Sequence, residues 1–235
     1  MLNFISLQRI LRLAVAAILL TQAVTAGAQS AGLLYDPEPP ANSAYVRVIH
    51  VSHEGAVDVT VDGKARVHNL AGGEASDYFV LSAGKHTLVL QSAGKAGRAS
   101  ADIDVDSGHA VTVAFTTLRA EAKPLVYEDK ANSNKLKAVL AVYQLDAKSG
   151  PLDILTADGN TRVFTNVVSG TPSQLSVNPI TVELIATKSG AKAALARVKV
   201  AMESGGTYSI LLLPGEGGKL IARAVQNKVE RYTGK

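Results

Sequence analysis

The 235-residue sequence has no cysteine and no tryptophan, only 4 phenylalanines and 7 tyrosines. It has no apolar run long enough to cross a bilayer. Without cysteine there can be no disulfide scaffold, thiolate zinc site, iron–sulfur cluster or cysteine nucleophile. The fold therefore holds by packing alone, around a core of Val, Leu, Ile and Ala that supply most of the 47% hydrophobic content. With 19% charged residues and a mean hydropathy of +0.15, the chain is too apolar for a disordered protein. Catalytic signatures are missing as well. There is no Gly-x-Ser-x-Gly elbow, no Gly-Asp-Ser block with a distant Asp-x-x-His pair, no phosphate-binding Gly-x-x-x-x-Gly-Lys-Ser/Thr loop and no His-Glu-x-x-His motif.

The N-terminus carries Arg9 and Arg12 and no acid, then the apolar run Leu13–Leu20, then Ala26-Gly27-Ala28. This is the order of a secretory signal peptide, and residues 1–28 are expected to be removed by cleavage after Ala28. A membrane anchor is the alternative, but a span needs ~20 apolar residues. Export of a cysteine-free chain suits an oxidising periplasm.

Residues 29–41 form a lead whose Pro37, Pro39 and Pro40 favour an extended, polyproline-like course. Beyond it the sequence repeats. Val57–Lys64 reads as a strand entering an Asp-Gly turn, and Leu152–Asn160 has the same form at an offset of 95 or 96. Tyr45–Ile49 pairs with Val139–Tyr143, His86–Leu90 with Ile180–Leu184, and Asp106-Ser107-Gly108 with Glu203-Ser204-Gly205. Each copy shows short alternating strands with frequent turn signals and no sustained helical period. The expected fold class is all-β: two tandem antiparallel β-sandwich domains, 42–128 and 136–235, joined by a polar linker at 129–135. Superposition should pair Asp58 with Asp153 and Gly63 with Gly159.

Two constellations could carry chemistry. All five histidines, at positions 50, 53, 68, 86 and 109, lie in the first copy. A metal site is conceivable, but His50 and His53 are three apart near a strand end and point to opposite faces, so strand and turn histidines are the preferred reading. Asp102, Asp104 and Asp106 share a strand face at about 6.7 Å spacing. A straight strand cannot wrap calcium, so they read as charged edge protection. No metal or cofactor is expected.

Leu34-Tyr35-Asp36-Pro37, Pro40 and Ser43–Val48 after a signal peptide resemble the start of the alginate biosynthesis protein AlgF family, and Thr156-Ala157-Asp158-Gly159 is similar too. The resemblance implies a noncatalytic periplasmic accessory protein for O-acetylation of an exopolysaccharide, alginate first and acetylated cellulose second. It also implies partners: a membrane-bound O-acyltransferase and SGNH-like acetyltransferases. The first copy also resembles the DUF4397 β-sandwich domain through Val46–Ser52, Val57-Asp58-Val59 and Leu81–His86. That likeness implies an exported structural or surface module. A cryptic acetyl esterase or transferase is a third reading.

Tyr35, Asp36 and Pro37, outside either repeat, are expected to anchor a partner, or else to pack along the first sandwich. Charge divides at the linker. Gln29–Asp129 holds 8 basic and 13 acidic residues, a net −5, and Lys130–Lys235 holds 14 and 7, a net +7. A cationic second domain would attract an anionic polysaccharide through Lys192, Arg197 and Lys199, and nucleic acid is not an expected ligand of an exported protein. Ordinary drift of surface charge after duplication is the alternative.

Overall fold

The computed structural model describes residues 38–93 and 97–233. The proposed signal peptide and the Tyr35-Asp36-Pro37 segment lie outside the described residues. Among those residues no helix is long and apolar enough to cross a membrane.

The first half contains β1 (Ser43–His50), β2 (Val57–Val61), β3 (Lys64–Leu70), β4 (Glu74–Ala75), β5 (Phe79–Ser82), β6 (Gly84–Ser92), β7 (Arg98–Val105), β8 (Ala110–Phe115) and β9 (Leu125–Asp129). The second contains β10 (Ala138–Gln144), β11 (Leu152–Thr156), β12 (Arg162–Val167), β13 (Ser173–Val177), β14 (Thr181–Lys188), β15 (Ala194–Ala201), β16 (Thr207–Pro214) and β17 (Leu220–Gln226). Each half is a sandwich of two sheets. In the first, β4-β1-β8-β9, with β5 also on β1, faces β3-β2-β6-β7; in the second, β13-β10-β16-β17 faces β12-β11-β14-β15. The fold is all-β and built on a repeat, as expected. Most pairings are antiparallel, but β1 runs parallel to β8 and β10 parallel to β16, a feature that residue alternation does not disclose.

The duplication extends to fine geometry. Asp58 Oδ1 accepts the Asn69 N–H at 3.0 Å, and Asp153 Oδ1 accepts the Asn166 N–H at 2.8 Å. Both asparagines sit at positive φ, 55° and 51°, beside irregular strand register. Each aspartate thus holds a left-handed kink that Asn tolerates better than other side chains. Gly63 and Gly159 both turn at positive φ, 76° and 74°. One alignment needs correction. Leu88 lies opposite Val61 and Leu184 opposite Thr156, so Leu88 corresponds to Leu184, two residues further on than the match of His86–Leu90 with Ile180–Leu184 implies. A period of two looks the same after a two-residue shift, so sequence pattern alone cannot fix it.

Three apolar clusters hold the chain together. Val46, Val48, Leu88 and Val113 lie in the first sandwich core, and Leu140, Val142, Leu184 and Ile210 in the second. A third cluster joins Ile49, Ala114 and Tyr127 of the first half to Tyr143, Leu211 and Leu213 of the second. The central strands β1, β8, β10 and β16 are therefore buried on both faces, which explains the apolar run of residues 138–143 in β10.

Asp129, expected to open the linker, is the last residue of β9. The segment after β17 returns to the first half: Tyr78 N–H donates to the Lys228 carbonyl at 2.8 Å, and Glu230 N–H donates to the Tyr78 carbonyl at 2.7 Å.

Candidate functional site

Arg47 occupies an inward position on β1, and its side chain is 1% exposed at the junction of the two halves. Three hydrogen bonds receive it. Nε donates to Thr112 Oγ1 at 2.7 Å, one terminal nitrogen to Asn227 Oδ1 at 2.6 Å, and the other to Ser209 Oγ at 2.9 Å. The guanidinium carbon stands 4.7 Å from the centre of the Tyr78 ring and 5.2 Å from that of Tyr143, within cation–π range. Burial alone would lower the Arg47 pKa; the surrounding Tyr78, Tyr143 and Asp129 outweigh it and raise the value, so the group stays charged.

Asp129 balances that charge without touching it. Its carboxylate accepts from Thr112 Oγ1 at 2.5 Å, from Tyr78 Oη at 2.7 Å and from the Tyr143 hydroxyl. Burial also raises the pKa of both phenols, which stay protonated as donors. The arrangement repeats across the halves. Thr112 and Ser209 hold equivalent places in β8 and β16; Thr112 hands its hydrogen to Asp129, and Ser209 hands its own to Asn227 Oδ1 at 2.7 Å. One arginine is thus gripped by matched residues from both copies.

A cleft of about 290 Å³ opens beside this cluster, lined by Tyr45, Tyr78, Asp129, Tyr143, Gln174 and Asn227. Its carboxylate is saturated by hydroxyls, and the histidines make other contacts. His50 Nε2 bonds the Gly55 carbonyl, His53 the Pro214 carbonyl, His86 bonds Asp62 and the Ser82 carbonyl, and His109 bonds Glu128. His68 lies 3.5 Å from Asp58. None of these contacts is to a serine or threonine hydroxyl, and among the described residues no group of three acidic or histidine side chains could hold a metal. The junction's contacts fix one half of the chain against the other.

The expected surface residues fall elsewhere. Arg197 and Lys199 are exposed on β15, an edge strand, with Lys192 in the turn before it; Glu183 pairs across from Lys199. Asp102 and Asp104 are exposed on β7, the corresponding edge in the first half, while Asp106 falls beyond that strand. The junction itself escaped the sequence reading. Its signal was an arginine set in the run Ala-Tyr-Val-Arg-Val-Ile of β1, a strand buried on both faces.

A model of the family described as "Alginate O-acetyl transferase AlgF" matches residues 16–209. The alginate biosynthesis protein AlgF of Pseudomonas syringae pv. tomato is 29% identical over 187 residues, covering 80% of this chain and 78% of that protein. Its namesake in Pseudomonas aeruginosa is 29% identical over 199 residues, covering 85% of each. A solved structure of the C-terminal domain of AlgF from P. aeruginosa aligns with 40% of this chain and 100% of that one, at 26% identity and a TM-score of 0.32. With the family model spanning most of its length, the chain belongs to the AlgF family.

Proposed function

We propose that the protein is a noncatalytic periplasmic adaptor for O-acetylation of alginate, positioned beside SGNH-like acetyltransferases and a membrane-bound O-acyltransferase. The observation that carries this reading is the match over residues 16–209, joined by relatives named for alginate biosynthesis. The build of the junction supports it. Matched residues from both copies are spent on fixing one half against the other, and the histidines bond carbonyls and carboxylates rather than a nucleophile. Such a body presents surfaces to partners. The two halves serve as its domains, with β9 ending the first at Asp129 and the segment after β17 crossing back to it.

The family's description contains the word transferase, so acetyl transfer by the chain itself is the competing reading. Two measurements separate them. Deleting the gene should leave polymer made but unacetylated, and the purified chain should neither hydrolyse an acetyl ester above background nor move acetyl groups onto alginate. Normal acetylation after deletion would remove the role, and turnover by the purified chain would replace the adaptor with an enzyme. For the lead, Tyr35→Ala is expected to weaken recovery of the acetyltransferase without lowering stability. Unchanged recovery and unchanged stability would dispose of that anchor.

A further inference from the structure

The two halves treat one equivalent edge differently. In the first half, Tyr45 N–H donates to the His109 carbonyl just before β8, so its partner across the sheet, Val80, turns its own N–H outward, as does Tyr78 two residues earlier. The segment after β17 satisfies that edge. Lys228 and Glu230 bond Tyr78, the Glu230 carboxylate accepts the Val80 N–H at 3.1 Å, and Val229 forms a parallel bridge with Tyr78. Phe79 beneath it is 1% exposed.

In the second half, Val139 N–H donates to the Gly206 carbonyl on the β16 side, so Ser176 and Gln174 of β13 turn their backbone groups outward in the same way. Here the segment at the end of β9 takes the place of the C-terminal one, but among the described residues it reaches β13 through the Gln174 side chain: Lys130 N–H donates to Oε1 at 2.9 Å and Nε2 donates to the Glu128 carbonyl at 3.3 Å. A groove of about 250 Å³ separates them, lined by Lys130, Asn132, Val139, Gln174, Leu175 and Ser176. Ser176 is exposed, and Leu175, the counterpart of Phe79, is 41% exposed. Among the described residues no backbone partner meets the outward groups of Ser176. The strand Ser-Gln-Leu-Ser-Val carries neither charge nor proline, unlike the guarded edges β7 and β15.

We infer that the outer edge of β13 receives an extended segment of a partner protein by strand addition, and that this segment is apolar at its centre and acidic at its ends. The inference deepens the adaptor reading and rests on it for biological meaning. Outward backbone groups supply the pairing, and Leu175 supplies apolar area. Charge sets the class of partner. Lys130 stands at the Gln174 end, and Lys137, which donates to Asn178, stands just past the other. The segment seated on the first half gives the pattern: apolar Val229 bridges and acidic Glu230 caps.

The test uses the full chain and a fluorescent peptide, Glu-Val-Thr-Val-Thr-Glu, with the same peptide N-methylated at alternate residues as control. Fluorescence anisotropy should show saturable binding of the plain peptide and at least tenfold weaker binding of the methylated one. Ser176→Pro removes the outward N–H, and proline is tolerated where a strand's N–H faces solvent; it should weaken binding about tenfold with an unchanged melting temperature. Lys130→Glu with Lys137→Glu should weaken it further at low salt. Equal binding of the two peptides, no binding of either, or binding that a folded Ser176→Pro chain retains would overturn the inference. Because the peptide comparison needs no variant, misfolding of Ser176→Pro leaves the question answerable. If deletion of the gene abolishes acetylation while the peptides fail, the edge is wrong and the adaptor stands; if the peptides bind and deletion changes nothing, the reverse holds.

Discussion

Replacing Arg47 by methionine, which keeps most of the side-chain volume, should uncouple the two halves. The substitution removes three hydrogen bonds from a charged donor, each of a kind worth about 1.5–3 kcal/mol. It also leaves the half-buried Asp129, held by three hydroxyls, without its nearby cation. Breaking a buried charge arrangement by deleting one partner costs about 3–5 kcal/mol, and we expect a loss in that range. For a domain of this size, that corresponds to a melting temperature lower by about 6–20 °C. Urea unfolding followed by circular dichroism and tyrosine fluorescence is the assay. The wild-type chain should unfold in one transition, and the variant in two, because the junction carries less of the coupling. Adding Asp129→Asn should cost less in the variant than in the wild-type chain, since the carboxylate has by then lost its cation. A loss below about 1 kcal/mol with a single transition would refute the reasoning. It would show the guanidinium to be as dispensable as a surface ion pair.

Other outcomes follow from single sites. His50→Gln should be tolerated within about 1 kcal/mol, because Gln144 in the second half makes the matching bond to the Gly150 carbonyl, and His50 Nδ1 has no partner to lose. Burial lowers the His50 pKa below 6.5, so the wild-type fold keeps that contribution above 6.5 and loses it as pH falls towards the folded value. The variant should show a shallower decline in denaturation midpoints over that interval, and an unaltered slope would count against the assignment. Gly72→Ala should destabilise by about 1–3 kcal/mol, because an added Cβ would collide with the Ser52 carbonyl oxygen; a melting temperature within 1 °C of wild type would contradict it. Replacing Lys192, Arg197 and Lys199 with glutamate in the full chain should abolish retardation by alginate at low ionic strength. If the wild-type chain shows no retardation at ~10 mM salt, where the Debye length is about 30 Å, the basic edge has no role with that polymer.

The Asp-Gly and Asp-Gly-Asn turns and the alternation of β2 and β7 made the strands and the repeat legible, because both depend on neighbours in sequence. The parallel pairing of β1 with β8 was not legible, since alternation records which face is buried and says nothing of direction. Arg47 was hidden for a related reason. On a strand with one wet face an arginine belongs in water, and only the covering of sheet β4-β1-β8-β9 by the second half makes its position inward. Asp129, in a polar stretch with turn formers after it, was indistinguishable from linker. The exposed basic residues Lys192, Arg197 and Lys199 needed only charge and alternation to be placed on an outer surface. Whether they meet a ligand depends on a partner's chemistry, which the chain's own pattern does not encode.

The return of the C-terminal segment to Tyr78 and Val80 has a consequence for the order of assembly. A chain that emerges amino end first can close its first sandwich core by itself, since β1 to β9 contain every strand of that sandwich. The edge of β5 and the outer face of β1 and β8 must then wait for the second half to be made, and the edge waits for residues 228–230, beyond β17. During that interval an unpaired strand edge and an apolar face are open to other chains. Removing residues 228–230 is therefore expected to harm yield and solubility, through the first half, more than the loss of three surface residues would suggest.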